Sequence, residues 1–182
     1  MKDSAQREAF LVLRAQSGDR GALDELLASV QGPLYRYLLS VLRERHLAED
    51  ALQETFVRVY RKLGWLREPG LFRPWAYRIA TREAFRQSKR ERRWAERLRD
   101  EEALRELAAP PPREEFAREL SERLRETVAG LSPASRAVVV LYYLHEMSLE
   151  ETAAVLGVPL GTVKSRLAYG LAALRRQLKK TE

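Results

Sequence analysis

Apolar residues recur at helical spacing along nearly the whole chain, and the strict alternation of a half-buried strand is absent. From Gly21 to Leu42 the positions Leu23, Leu26, Leu27, Val30, Leu34, Leu38 and Leu42 predict one amphipathic helix, which Gly32-Pro33 should bend or divide. Ala48 to Leu63 predicts a second helix with Leu52, Phe56, Val59 and Leu63 on one stripe. Gly64 to Gly70 reads as a loop. A third helix begins near Phe72, with Phe72, Trp75 and Ile79 on one face, and continues into a basic stretch from Arg82 to Arg99. The pattern then weakens and ends at Pro110-Pro111-Pro112, which no helix can cross. Helical spacing resumes with Phe116, Leu120, Leu124 and Val128; Gly130 ends that helix, and Ser132-Pro133 opens the next as N-cap and first helical residue. The expectation is an all-α chain of two small helical domains, 1–98 and 114–182, joined by a linker over 99–113.

Composition sharpens this picture. The chain has 182 residues, a net charge of +7 and a pI of about 9.9, so a polyanion is the leading partner candidate and an inert basic surface the alternative. The absence of cysteine excludes disulfides and thiolate metal sites and fits a reducing cytoplasm. Charges at Lys2, Asp3, Arg7, Glu8 and Arg14 leave no room for a signal peptide, and Val138 to Leu144, the most apolar stretch, is too short for membrane insertion. The two histidines, His46 and His145, read as surface residues. With no glycine-rich phosphate loop and no metal-ligand spacing, neither an enzyme nor a cofactor or metal site is expected.

Two constellations carry candidate chemistry. In the second half, Ser148-Leu149-Glu150-Glu151 has the form of a capping box. The short helix it opens should bury Leu149, Ala153 and Leu156, and Gly157-Val158-Pro159 makes a turn. A longer helix from about Leu160 to Leu178 should bury Val163, Leu167, Leu171 and Leu174. This is a helix-turn-helix pattern. A step of about 100° per residue then directs Ser165, Ala168 and Tyr169 outward, flanked by Lys164 and Arg166, as a DNA-reading helix requires. A tri-helical core with a solvated basic face has the same spacing.

In the first half, Asp50, Gln53, Glu54 and Val57 fall on one face opposite the Leu52 stripe. They form either a solvated surface or a docking face for a basic partner helix. Phe72-Arg73-Pro74-Trp75-Ala76-Tyr77-Arg78-Ile79-Ala80 interleaves aromatics with arginines, a pattern suited to stacked bases and phosphates. Phe72, Trp75 and Ile79 read as core, whereas Tyr77, Arg78, Arg82 and Phe85 are the exposed candidates. The run from Lys89 to Arg99 reads as a phosphate-facing helix end or a solvated one.

Ala48-Glu49-Asp50-Ala51-Leu52-Gln53-Glu54-Thr55-Phe56 and the Phe72–Ala80 segment resemble region 2 of the extracytoplasmic-function sigma factors. Leu131-Ser132-Pro133 and the segment from Ser148 to Leu167 resemble their region 4. The resemblance runs from about Gly18 to Leu178 apart from the linker. It implies that Asp50, Gln53, Glu54 and Val57 dock on the clamp helices of the RNA polymerase core enzyme. It implies that Tyr77, Arg78, Arg82, Phe85, Arg86 and Lys89 hold the unpaired −10 element. It further implies that Thr162, Lys164, Ser165, Arg166 and Tyr169 face the −35 duplex of promoter DNA. An anti-sigma protein is a further implied partner, and a minimal member without the extra domains of primary sigma factors is expected. Two departures stand out: Arg82 occupies the family's usual asparagine position, and Tyr169-Gly170-Leu171 replaces a frequent Arg-Ala-Arg. A stand-alone helix-turn-helix regulator is the alternative reading; it leaves the first half without a purpose.

Overall fold

The computed structural model describes residues 2–90, 128 and 130–178, and every regular element among them is helical. The first half comprises α1 (Lys2–Gln16), α2 (Arg20–Leu42), α3 (Arg45–Lys62), two 3₁₀ turns at Leu63–Trp65 and Pro69–Leu71, and α4 (Phe72–Arg90). The second half comprises α5 (Pro133–Val139), a π turn at Val140–Leu144, α6 (Leu149–Leu156) and α7 (Leu160–Leu178). The linker 99–113, its prolines, and the expected helix through Phe116, Leu120 and Leu124 lie outside the described residues.

Helix α1 was not anticipated, yet its signal is present. Glu8, Leu11, Val12 and Ala15 stand at i, i+3, i+4 and i+7, and the first three are buried. The Glu8 carboxylate pairs with Arg73 of α4, and Gln16 Nε2 donates to the carbonyls of Leu63 and Leu66 at 2.8 and 2.9 Å. These bonds tie the helix to α4 and to the first 3₁₀ turn. Gly18, at φ +93°, turns the chain, and Asp19 caps α2 by accepting from the Ala22 amide at 3.0 Å.

The proline in α2 does not divide it. The helix runs unbroken through Pro33, with Leu26, Val30, Leu34, Tyr37, Leu38 and Val41 buried. An interior proline costs about 3 kcal/mol, whereas each fully buried leucine contributes about 1.5–3 kcal/mol, so the packed face outweighs the lost hydrogen bond. The stripe on α3 is also rotated from the expected one. Ala48, Ala51, Thr55 and Val59 face the core, while Leu52 and Phe56 are only partly buried. Small residues let α3 approach α2 and α4 closely, which pushes the larger side chains to the flanks.

In the second half, Ser132 caps α5 and both bonds of the Ser148–Glu151 capping box form, at 3.0 and 2.7 Å. Gly157 closes α6 at φ +69°. Val163, Leu167, Leu171 and Leu174 are buried on α7. Gly170 faces α5: a Cβ there would stand 2.9 Å from Val139 Cγ2, so only glycine permits this helix–helix distance.

The two halves are packed together. Helix α6 lies on α4, α5 lies on α2, and buried side chains of both halves form one continuous apolar cluster.

Candidate functional site

Three surfaces carry the residues singled out by the sequence. On α3, Asp50, Gln53, Glu54 and Val57 are all exposed, on the side away from Ala51, Thr55 and Val59. One of them is already engaged within the molecule. Glu54 Oε2 lies 3.4 Å from Arg86 Nη2 of α4, and Arg86 also meets Glu83 at 2.8 Å. Glu83 is nearly fully buried, and its other oxygen lies 2.5 Å from Arg58 Nε of α3. An acid–base chain thus joins the docking-candidate face to the arginine face of α4. A buried carboxylate needs such partners, because desolvating it alone costs several kcal/mol.

On α4, Arg78, Arg82 and Arg86 are exposed and stand four residues apart, forming one arginine stripe. Phe85 packs against the core rather than projecting freely, and the Lys89 side chain lies outside the described residues. Tyr77 departs most from expectation. It is 1% exposed, not a surface ring. Position 77 falls beside Phe72, Ala76 and Ala80 on the buried side of α4, and its hydroxyl lies 2.7 Å from His145 Nδ1. Burial holds the Tyr77 phenol well above its usual pKa, so it stays protonated.

His145 is likewise not a surface residue. It sits at the end of the π turn, edge-on to both Tyr77 and Tyr37 with ring centroids 5.0 and 5.8 Å away. Burial, with Arg36 and Arg73 nearby, lowers its pKa to about 4, so the ring is neutral. Tyr37 is anchored in turn by Thr81, 2.7 Å from its hydroxyl. No local pattern marked His145, because its partners are 68 and more positions away in sequence.

On α7, Lys164 and Ser165 are exposed, and Thr162, Arg166 and Tyr169 are partly exposed. Ala168, expected outward, is buried. The glycine-mediated approach of α7 to α5 widens the buried sector of the helix to include it. Ser165 Oγ donates to its own helix at the Thr162 carbonyl, 3.0 Å away. Lys164 therefore dominates the polar surface near the start of the helix.

Among the described residues, no cluster of three histidine or carboxylate side chains could hold a metal ion, and no helix is long and apolar enough to cross a membrane. The candidate faces differ in charge: Asp50 and Glu54 make that of α3 acidic, whereas Arg78, Arg82 and Arg86 on α4 and Lys164 on α7 make theirs basic.

Comparison with known proteins agrees with this layout. The family model for sigma-70 region 2 matches residues 26–94, and that for sigma-70 region 4 matches residues 127–176. The chain is 30% identical over 177 residues to the ECF RNA polymerase sigma factor SigW of Bacillus subtilis, covering 92% of this chain and 95% of that one. It is 36% identical over 169 residues to SigE of Mycolicibacterium smegmatis, covering 90% of this chain and 65% of that longer relative. Among solved structures it resembles CnrH, determined in complex with the cytosolic domain of CnrY, with a TM-score of 0.71 and 27% identity over 97% of this chain and 99% of that one. With both sigma regions matched in order and a relative of this identity covered almost end to end, the chain belongs to the extracytoplasmic-function sigma factors, the alternative sigma factors of transcription initiation.

Proposed function

We propose that this sigma factor recruits core RNA polymerase through the α3 face, holds the unpaired −10 strand along α4 and reads the −35 duplex with the first half of α7. The supporting observation is that all three faces are solvent-exposed while the opposite sides of the same helices form the core. Asp50, Gln53, Glu54 and Val57 present carboxylates and an amide around one apolar side chain, a composition that suits a basic partner helix. Arg78, Arg82 and Arg86 supply cations along a strand of phosphates. Lys164, with Arg166 beside it, supplies the phosphate or base contact at the start of the reading helix, and Thr162, Ser165 and Tyr169 complete that surface. Residues 1–98 serve polymerase and −10 binding and 114–182 serve −35 binding.

The protein acts by binding, without chemistry of its own, and in the cytoplasm where polymerase works. The structure of CnrH is of a complex with the cytosolic domain of CnrY, and that of another neighbour, RpoE of Bartonella quintana, is of a complex with the anti-sigma factor NepR. A protein that restrains this chain in the same manner is the expected regulator. Run-off transcription with purified core polymerase and a promoter library tests the reading. Transcripts starting at a fixed distance from shared −10 and −35 sequences are expected. Tight duplex binding without polymerase-dependent transcripts would instead favour a stand-alone regulator.

A further inference from the structure

The end of α3 carries a constellation that neither the docking face nor the α4 stripe uses. Tyr60 is 68% exposed, and Trp65 in the first 3₁₀ turn is 79% exposed, more than any other large apolar side chain among the described residues. A ring of this size commonly buries about 150–250 Å², so the turn presents it against the hydrophobic effect. The turn is pinned. The Leu66 amide donates to the Leu63 carbonyl at 3.0 Å, and Gln16 of α1 donates to the carbonyls of Leu63 and Leu66, on either side of Trp65. Because the turn follows α3 directly, Tyr60 and Trp65 stand about 9 Å apart along the helix axis. Charge completes the surface. Arg61, Lys62 and Arg67 are exposed and have no carboxylate partner among the described residues, whereas Arg7, Arg14, Arg45, Arg58, Arg73 and Arg86 of the same half are each paired. Glu68 is the single acid between positions 60 and 71. Gly64 leaves the approach open, since a Cβ there would meet nothing within 4 Å.

We propose that Tyr60 and Trp65, with Arg61, Lys62 and Arg67, form a second platform for single-stranded DNA, separate from the α4 stripe. Aromatic rings stack on bases of any sequence, and the cations beside them take the phosphates. The spacing of the two rings lets them hold different bases of one strand. Charge opposes the other use of this surface, as an extension of the docking face. A basic partner helix that suits Asp50 and Glu54 would meet three unpaired cations here and be repelled. The platform itself does not rest on the assignment of α4 to the −10 strand; its use at a promoter does.

All five side chains are exposed, so their replacement spares the fold, and thermal melts of each variant check this. The direct measurement titrates a fluorescent twelve-nucleotide oligo(dT) with the full-length protein. Trp65→Ala is expected to weaken this binding about tenfold, and Trp65→Phe, which keeps a stacking ring, to restore most of it. Arg61→Ala with Lys62→Ala is expected to lower the slope of log affinity against log salt by about 1.4, two phosphates at about 0.7 each. The duplex of that strand with oligo(dA) offers no free base faces, so Trp65→Ala should bind it as the parent does. Competition for core polymerase by the same variants should be unchanged. Equal oligo(dT) affinity of parent and Trp65→Ala, the same loss on duplex as on single strand, or a loss confined to core competition would overturn the platform; the last result would make the surface a protein contact. Arg78→Ala with Arg82→Ala tests α4 separately. If that variant binds oligo(dT) like the parent while Trp65→Ala does not, the −10 assignment of α4 fails and the platform stands.

Discussion

Glu83 of α4 and Arg58 of α3 meet at 2.5 Å beneath the surface, and this pair bridges the two helices. Glu83 is 3% exposed while Arg58 reaches it from a partly exposed position. The second Glu83 oxygen meets Arg86, which in turn reaches Glu54. The surface proposed for polymerase and the surface proposed for the −10 strand therefore share one chain of charges. This has consequences for mutations on either side.

Asp50→Lys combined with Glu54→Lys should weaken core polymerase binding by at least tenfold while changing unfolding free energy by no more than about 1 kcal/mol. Both residues are exposed, and the Glu54–Arg86 pair is too open to hold the fold together. Competition for core against a labelled reference sigma factor, paired with denaturant melts, measures both quantities. Unchanged competition would remove this face from the docking surface.

Arg82→Asn should change which base is preferred at the captured −10 position and leave stability alone, since Arg82 projects into solvent. A guanidinium donates but cannot accept, so it suits a guanine edge or a phosphate, whereas an amide can pair with adenine. The parent is therefore expected to favour a guanine-containing −10 element or to show weak preference. Active promoters selected from a randomised −10 library with each protein decide it, and identical base profiles would exclude Arg82 from base contact.

Gly170→Ala should destabilise region 4 by about 1–2 kcal/mol despite the better helix propensity of alanine. The new Cβ would stand 2.9 Å from Val139 Cγ2, and a buried β-branched side chain has little room to turn aside. Thermal melts of the full-length protein should show the loss, with −35 binding weakened in step. A melting temperature equal to or above that of the parent would show that α5 and α7 can separate at little cost.

Acid should loosen the seam. The His145 pKa in the packed form is lowered to about 4 against an ordinary 6.5, so the packed form favours the neutral ring. That contribution is fully present above pH 6.5 and is lost as pH falls toward 4, by at most about tenfold per pH unit. Arg36 and Tyr37 from α2, Arg73 and Tyr77 from α4, and Glu8 behind Arg73 are the groups around it; the two arginines oppose a third positive charge. Energy transfer between the halves should fall from pH 7 to pH 5, and the decline should be much shallower in His145→Gln, which subtracts the titration of other carboxylates. Equal pH profiles for the two proteins would show that His145 does not govern the seam.

Much of this protein is written locally. The Ser132 and Ser148 caps, the Gly157 turn and the buried stripe of α7 depend on residues a few positions apart, so periodicity and turn chemistry reveal them. The exposure of Asp50, Gln53 and Glu54 follows from the same rule. Helix α1 was legible in principle from Glu8, Leu11, Val12 and Ala15, whose short spacing carries the signal. The arrangement of distant elements was not legible. Pro33 stays within α2 because packing on both sides outweighs a local preference, and small alanines rotate α3 against its neighbours. Tyr77 and His145, or Arg136 and Val41, meet only after the two halves close, across 68 and 95 positions of chain. Local spacing determines which side of a helix is apolar; only tertiary packing decides what covers that side, and here region 4 covers part of region 2.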